Sequence, residues 1–258
     1  MTAIPDLTKN KLLAALPEVE LKRLQPHLKW VHLPRGHVLY ESGSSVNYVY
    51  FPSTCVVSLQ SQMSDGTAAE ISVVGNEGVI GVPLFMGGRS TPSNAVVEIK
   101  GEAFQLNAPA VLEEFNRRGE VQNLLLLYTQ ALLMQIAQTA ACYRHHSIDQ
   151  QICRWLLLNL DRLHTRELMM TQEQIANSLG IRRESVTEVA VKLQKDKLIG
   201  YSRGRISVLN RAGLEHRACE CYQVIKEEYA RLLPPSSALK YATPTHPTHR
   251  LHHPPETI

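Results

Sequence analysis

Residues 171–199 read TQEQIANSLGIRRESVTEVAVKLQKDKLI, and this stretch indicates the fold most clearly. Thr171 is a good N-cap for a short helix, whose apolar stripe consists of Ile175, Ala176 and Leu179. Gly180 supplies the positive φ of a tight turn. A second helix is predicted from about Arg182, and its buried face consists of Val186, Val189, Ala190 and Leu193. Two helices joined by a short glycine turn are typical of a helix-turn-helix.

The exposed face of the second helix has side chains suited to reading DNA. An arginine can bond a guanine bidentately, and a carboxylate can accept a hydrogen bond from a cytosine amino group. Residues 198–202 and 205–209 are predicted to form a two-stranded wing whose turn is flanked by arginines, well placed for phosphates. The residues predicted to contact DNA are Thr171, Gln172, Arg182, Arg183, Glu184, Ser185, Thr187, Glu188, Arg203 and Arg205.

Positive charge is concentrated on the same stretch. The whole chain has a net charge of only +3, and residues 1–149 hold 11 Lys and Arg against 13 Asp and Glu. Residues 182–211 hold 8 against 3, a net of +5. Clustered positive charge favours a polyanion as partner, because neutralising phosphates releases counterions. The alternative interpretation is a solvated basic face with no partner.

The N-terminal half has a different periodicity. Residues 7–29 are predicted to form one or two amphipathic helices. Residues 30–107 contain short stretches rich in β-branched and aromatic residues, cut by Gly, Pro, Asn and Ser. Ser64-Asp65-Gly66 is a hairpin-turn signal between two of them. The pattern predicts a compact antiparallel barrel or sandwich, followed by a short helix over 110–116.

A long helix is predicted over residues 121–145, and it is apolar on more than one side. One side can cover the barrel, and the other can meet the same helix of a second subunit in a short coiled-coil-like seam. The alternative is a helix that is fully buried within one subunit. A membrane span is a weaker alternative, because glutamines interrupt the apolar run at three positions. The stripe expected at the subunit contact is Leu126, Leu133, Ile136 and Ala140.

Length and composition favour a folded, cytoplasmic protein. The 258 residues are enough for two domains, and 44% are hydrophobic against 20% charged. The first residues lack the apolar core of a signal peptide, so the five cysteines are expected to be reduced thiols. Another helix is predicted over 149–163 and a last one over 211–233. The Pro-, Thr- and His-rich residues 234–258 are predicted to be a disordered tail.

The order of a small barrel, a long helix and a winged helix-turn-helix resembles the Crp/Fnr family of bacterial transcription regulators over about residues 15–210. The resemblance implies an α+β fold, with an N-terminal antiparallel β-roll that senses an effector and a C-terminal winged helix-turn-helix. It also implies a homodimer on near-palindromic double-stranded DNA, with RNA polymerase as a further candidate partner. The expected divisions are a sensor domain over 1–118, a dimerisation helix over 119–147 and a DNA-binding domain over 148–233.

At the recognition helix the resemblance is close but incomplete. Arg183-Glu184-Ser185 matches the family's Arg-Glu-Thr-like triplet, which implies base reading by Arg183 and Glu184. A later position that is often arginine in the family is Glu188 here. A carboxylate cannot make the same guanine contact and is repelled by phosphate, so the preferred half-site is expected to differ.

The sensor domain departs further from the family. Cyclic-nucleotide-binding members have a Gly-Glu-Leu motif and an Arg-Ser/Thr-Ala motif, whose Arg meets the cyclic phosphate. Here Gly81-Val82-Pro83 and Ser93-Asn94-Ala95 stand in their places. The expected pocket of Gly81, Val82, Arg89, Ser93 and Asn94 is therefore degenerate. It implies an unidentified small-molecule effector other than cyclic AMP, or none, unless Arg89 folds back to replace the missing arginine.

The remaining reactive residues suggest no enzyme and no cofactor. The sequence has no Gly-x-Ser-x-Gly, His-Glu-x-x-His or Walker A motif. Cys142, Cys219 and Cys221 could in principle bind zinc or an iron–sulfur cluster. Because 211–233 is predicted to be one helix, the two thiols of Cys219-x-Cys221 should point in opposite directions, and no metal is expected. A non-DNA scaffolding or ligand-sensing module remains the alternative function.

Overall fold

The computed structural model of the protein describes residues 5–163 and 165–233, so the tail predicted over 234–258 lies outside the described residues. Its N-terminal part begins with a 3-10 turn, Leu7–Lys9, and two short helices, α1 (Lys11–Ala15) and α2 (Glu18–Leu24). Asn10 caps α1 and is fully buried, and its amide also donates to the carbonyls of Pro52 and Gly78. This one side chain therefore ties α1 to the domain that follows.

The sensor domain consists of two antiparallel sheets, as the alternating sequence predicted. The strands are β1 (Lys29–Leu33), β2 (Val38–Tyr40), β3 (Tyr48–Pro52), β4 (Val56–Gln62), β5 (Ala68–Val74), β6 (Ser93–Ile99) and β7 (Gly101–Asn107). One sheet has the order β1-β7-β3 and the other β2-β6-β4-β5. The β4–β5 turn contains Gly66 with a φ of 85°, at the expected hairpin turn.

Three helices close the sensor domain: α3 (Val82–Phe85), α4 (Ala108–Asn116) and the long α5 (Glu120–His145). Proline lies in the first turn of both α3 and α4, where its missing N–H costs no hydrogen bond. Helix α5 is long and apolar enough to cross a membrane. Four of its buried side chains, Val121, Leu125, Tyr128 and Leu132, belong to the sensor core.

The C-terminal part follows directly from α5. It contains α6 (Ile148–Leu163), β8 (Glu167–Met169), α7 (Gln172–Leu179), α8 (Arg183–Lys195), β9 (Ile199–Ser202), β10 (Arg205–Val208), α9 (Arg211–Arg217) and α10 (Cys221–Leu232). The three strands form an antiparallel sheet in the order β8-β10-β9. Strand β8 is three residues long, too short to give an alternating pattern, and the sequence did not predict it.

The single helix predicted over 211–233 was wrong. Helix α9 ends at Arg217, where Ala218 adopts an extended conformation with φ −68° and ψ 157°. A new helix, α10, begins at Cys221. The break allows Cys219 and Cys221 both to be buried beside Cys142, whereas one continuous helix would turn one thiol toward solvent.

The sensor and DNA-binding parts share buried contacts. Val56 and Val73 of the second sheet pack in the core formed by α6, α7 and α8. The indole N–H of Trp155 donates to Glu70 Oε1 over 2.9 Å, and both side chains are buried. Gln135 of α5 donates to Ser72 Oγ over 2.7 Å. Strand β5 thus contacts both α5 and α6.

Candidate nucleic-acid interface

The first helix of the helix-turn-helix is fixed by a capping box. The backbone N–H of Gln174 donates to Thr171 Oγ1 over 3.3 Å, and the backbone N–H of Thr171 donates back to Gln174 Oε1 over 2.7 Å. Two of the unpaired donors of the first turn are thereby satisfied. Gly180 ends the helix with a φ of 65°, as predicted, and α8 begins three residues later.

Helix α8 has one buried and one exposed face. Its buried residues are the predicted Val186, Val189, Ala190 and Leu193. Arg182 is the N-cap residue, and it is exposed together with Arg183, Glu184 and Glu188. Ser185 is half-buried. The exposed residues of the first turn are those that can approach base edges when a recognition helix enters the major groove.

Two of the residues predicted to contact DNA are bonded to each other. The hydroxyl of Thr187 donates to Gln172 Oε1 over 2.7 Å and lies 3.1 Å from the carbonyl oxygen of Arg183. This bond joins the start of α7 to the second turn of α8, so it fixes how the two helices cross. The amide N–H groups of Gln172 stay available to donate to a nucleic acid.

The wing turn has a well-defined geometry. Arg203 and Gly204 both have positive φ, 51° and 75°, as a two-residue type I′ hairpin requires. The exposed Arg205 reaches only a distant ion pair with Glu167, 4.0 Å away. A shallow cavity of about 360 Å³ runs from the wing to the recognition helix. Its lining consists of Thr171, Gln172, Glu173, Arg183, Gln194, Tyr201, Ser202, Arg203 and Gly204.

The arginines of this surface differ from other arginines of the domain in their partners. Within the described residues, Arg182, Arg183 and Arg203 form no ion pair. By contrast, Arg211 is paired with Asp161, and Arg217 with Asp149 and Asp196. Unpaired guanidinium groups keep their donors available for phosphate or guanine, whereas a paired guanidinium must first lose its carboxylate.

The expected effector pocket has few free polar groups. Gly81 has a φ of 104° before Val82 begins α3, and an added Cβ would lie 2.8 Å from the carbonyl oxygen of Tyr48. The Ser93 hydroxyl is 3.0 Å from that of Thr91, and Asn94 Oδ1 accepts from the Ser42 N–H over 2.6 Å.

Arg89 is held by its backbone in the loop after α3. Its N–H donates to the Pro83 carbonyl over 3.0 Å, and its carbonyl accepts from the Val46 N–H over 2.7 Å. Its φ is 57° and its side chain is exposed. The chain around Arg89 is therefore anchored at two points, although the guanidinium itself lies in solvent.

Helix α5 exposes an apolar stripe on the side away from the sensor core. Leu126 and Leu133 are 43% and 62% exposed, and Ala140 is exposed one heptad further along. Ile136, the fourth residue of the expected stripe, instead packs against the sensor core. The difference follows from geometry, because positions seven apart stay on one face of a helix whereas 133 and 136 differ by about 60°.

Larger cavities lie between the sensor and DNA-binding parts. One of about 980 Å³ separates the β4–β5 turn from the helix-turn-helix, with Arg35, Thr67, Gln174 and Arg182 among its lining. Another of about 530 Å³ is bounded by Lys11, Glu77, Arg162 and Tyr229. Sequence periodicity gave no signal for either cavity, because each is formed by elements far apart in the chain.

Comparison with known proteins supports both halves of this architecture. Residues 30–118 match a family model described as a cyclic nucleotide-binding domain. Residues 150–217 match one described as a Crp-like helix-turn-helix domain. The Global nitrogen regulator of Synechococcus elongatus is 21% identical over 219 residues, which cover 81% of this chain and 97% of the relative.

Solved structures show the same fold. FixK2 from Bradyrhizobium japonicum has a TM-score of 0.63 at 18% identity, covering 74% of this chain and 98% of its own. The c-di-GMP responsive global regulator CLP from Xanthomonas campestris has a TM-score of 0.59 at 16% identity, covering 74% and 99%. At such identities the likeness is one of fold, from the sensor sheets through to the winged helix-turn-helix.

Proposed function

The chain belongs to the Crp/Fnr family of DNA-binding transcription regulators, and from this premise we propose that it works as a homodimer whose two α8 helices read a near-palindromic site. The family consists of regulators rather than enzymes. The observation that carries the proposal is Arg183 at the exposed start of α8, where it forms no ion pair with any residue that the structure describes. A side chain at this position of a helix-turn-helix points toward base edges when α8 enters the major groove.

Each exposed residue of the surface has a separate proposed role. Arg183 bonds a guanine and Glu184 accepts from a cytosine, so these two read sequence. Arg182, Ser185, Arg203 and Arg205 contact phosphates, which position the domain without reading it. Thr171 caps α7, and Gln172 and Thr187 hold α7 against α8 at the DNA-facing surface. Glu188 disfavours a base contact at the next turn, and thereby changes the half-site.

The proposed dimer contact is the exposed stripe Leu126, Leu133 and Ala140 on α5. An apolar row at heptad spacing is the pattern of a coiled-coil seam, and the same row on a second copy is its natural cover. A two-fold axis along this seam would give two recognition helices, as the two halves of a palindrome require. Ile136 would support the seam from beneath.

The proposed regulation divides the chain by role. Residues 1–118 would sense a small molecule, 119–147 would dimerise, and 148–233 would bind DNA in the cytoplasm. The effector is unidentified, since the phosphate-facing arginine of cyclic-nucleotide-binding members is replaced by Ser93. RNA polymerase is a further candidate partner of the DNA-bound dimer.

Selection from random duplexes tests the proposed function. The full chain is mixed with a random library, and bound fragments are sequenced over several rounds, with and without a cell metabolite extract. We expect a near-palindromic consensus with half-sites about one helical turn apart. Failure to enrich any sequence, with a dimeric and folded protein, would favour the alternative of a non-DNA scaffolding or sensing module.

A further inference from the structure

Four side chains that commonly bind metals meet where the long helix passes the break between the last two helices. Cys142 and His146 lie one turn apart at the end of α5, and the N–H of His146 still donates to the Cys142 carbonyl. Cys219 lies in the break, and Cys221 opens α10. The three cysteines form a buried cluster of their own, separate from the two large hydrophobic cores.

The distances in this group suit one metal ion. Cys142 Sγ lies 3.5 Å from Cys219 Sγ, and Cys221 Sγ lies 3.4 Å from His146 Nδ1. All four ligand atoms are within 4.8 Å of one another. Zn–S and Zn–N bonds place the ligands of a tetrahedral zinc site about 3.5–3.8 Å apart. Small side-chain rotations would therefore be enough to close the group around an ion.

The surroundings of the group are also those of a metal site. The other ring nitrogen of His146, Nε2, lies 3.1 Å from Glu220 Oε1. Metal-bound histidines commonly donate that N–H to a carboxylate, which fixes the ring and its tautomer. The amide of Gln138 donates to Cys221 Sγ over 3.1 Å. A buried guanidinium, that of Arg154, lies near Cys142 and would offset the negative charge of the thiolates.

We propose that Cys142, His146, Cys219 and Cys221 bind one zinc ion in a closed structural site. Three thiolates and one imidazole with no open position are a common ligand set for structural zinc. An iron–sulfur cluster divides its ligands among several irons and needs them further apart, which this compact group does not provide. The thiols lose their protons on binding, so the reaction is Zn²⁺ uptake with proton release.

The site would link two elements that are distant in the chain. Two ligands come from the C-terminal end of α5, one from the break after α9 and one from the start of α10. The ion would therefore fix the hinge between the long helix and the DNA-binding domain. This role does not depend on the proposed DNA site. A metal measurement on the protein alone can therefore fail or succeed independently of DNA binding.

Metal analysis of the full chain tests the proposal. The protein is reduced, stripped with a chelator, dialysed against zinc under a thiol reductant and analysed for metal by atomic emission. We expect one zinc per chain and a thermal midpoint several degrees above that of the stripped protein. Cobalt(II) should give the visible spectrum of a tetrahedral thiolate complex, and zinc should abolish that spectrum.

Variants assign the site to these residues. Cys219→Ser and His146→Gln should lose the stoichiometric metal or weaken cobalt binding at least tenfold. Cys153→Ser and Cys55→Ser, which remove buried thiols outside the group, should bind like the parent. If circular dichroism shows that a variant does not fold, the zinc content and cobalt spectrum of the parent protein decide the question. No retained zinc and no tetrahedral cobalt spectrum in the folded parent, or a Cys142–Cys219 disulfide in its place, would overturn the proposal.

Discussion

Arg183 is the side chain that we propose reads a base from the start of α8. It is exposed at the first residue of α8, forms no ion pair within the described residues, and lines the cavity that leads to the wing. Burial raises the pKa of the Tyr201 phenol, and the nearby Arg183 guanidinium opposes that rise. A guanidinium with unused donors, held at a helix start, matches the bidentate geometry of a guanine edge.

Replacement of Arg183 by alanine is expected to lower affinity for the selected site by about 1–3 kcal/mol and to relax preference at one base pair of each half-site. Affinity for random duplex should change far less. Fluorescence anisotropy on both duplexes measures the two effects. Lys100→Ala, which removes an exposed positive charge from the sensor domain, serves as the control. Equal losses on the selected and random duplexes would make Arg183 a phosphate contact instead.

The carboxyl group of Glu70 is buried, and burial disfavours its charged form. Desolvation raises the pKa of its carboxyl to about 8, although Ser58, Trp155 and Arg154 act in the opposite direction. The unfolded chain would release this proton near pH 4.3. Between these two values the folded state binds more protons than the unfolded state. Stability from this group is therefore present at acid pH and is lost as pH rises toward 8.

Glu70→Gln is accordingly expected to stabilise the protein at pH 8.5 and to change little at pH 5. The variant keeps an oxygen that can accept from the Trp155 indole, but it has no charge to bury. Thermal midpoints between these pH values should fall more steeply in the parent than in the variant. Glu113→Gln, on the exposed face of α4, provides the control. If the thermal midpoints of the parent and of Glu70→Gln changed equally with pH, the raised pKa of Glu70 would be contradicted.

Helix α5 has one apolar face that is covered and one that is exposed. Its inner face belongs to the sensor core, whereas Leu126 and Leu133 remain uncovered. Large aliphatic side chains exposed at heptad spacing favour association, because each would lose its contact with water in a seam. The opening of α5 is also tied to α2, since Glu20 accepts from the N–H groups of Glu120 and Val121.

Leu133→Glu is expected to produce a folded monomer that has lost most of its affinity for the selected site, since two carboxylates would face each other across the seam. Light scattering and anisotropy measure the two effects. Val19→Glu, at a 68% exposed aliphatic position on α2, is the matched control and should stay dimeric. A dimeric Leu133→Glu variant would place the subunit contact elsewhere.

Elements with a strong period could be predicted from sequence, and those decided by tertiary packing could not. Helix α7, Gly180 and α8 each had a local signal, namely a cap, a glycine and a 3.6-residue apolar repeat. The break at Ala218 had none. Residues 211–233 contain no proline that would end a helix, and burial of the two thiols beside Cys142 favours two helices.

The candidate site also has features that the sequence indicated and features that it did not. The sequence indicated which polar residues share the exposed face of α8. It could not indicate that Thr187 would bond Gln172 or that Ile136 would turn inward. The Thr187 bond depends on the angle at which α7 and α8 cross, and the position of Ile136 depends on which side of α5 the sensor core covers. Short-range patterns encode neither. The sequence offered Cys142, Cys219 and Cys221 as metal ligands, but no metal was expected, because the thiols of Cys219 and Cys221 would diverge in the single helix predicted over 211–233.

Across the whole molecule, sensor and reader are joined by buried polar contacts on β5. Gln135 bonds Ser72 and the Val73 carbonyl, and the Arg162 guanidinium donates to Gln135 Oε1 over 2.9 Å. A ligand can shift such an arrangement only by its differential affinity for two states. Cyclic AMP would need a cation for its buried phosphate, and Ser93 offers one neutral hydroxyl that is already 3.0 Å from Thr91 Oγ1.

Cyclic AMP and cyclic GMP are therefore expected to produce no binding heat at micromolar concentrations and no change in affinity for the selected site. Calorimetry with the full chain and with Arg89→Ala measures the first, and anisotropy the second. Micromolar binding that strengthens DNA affinity and disappears in Arg89→Ala would mean that Arg89 replaces the missing arginine.

The most direct test of the central claim, sequence-specific DNA binding, is the ratio of affinities for the selected site and a scrambled duplex across a series of salt concentrations. We expect the selected site to bind at least about 10³-fold more tightly. Both affinities should fall linearly on a logarithmic salt axis as phosphate contacts are screened. Equal affinities for the two duplexes at every salt concentration would contradict the account, and would reduce the basic surface of α8 and the wing to a solvated face.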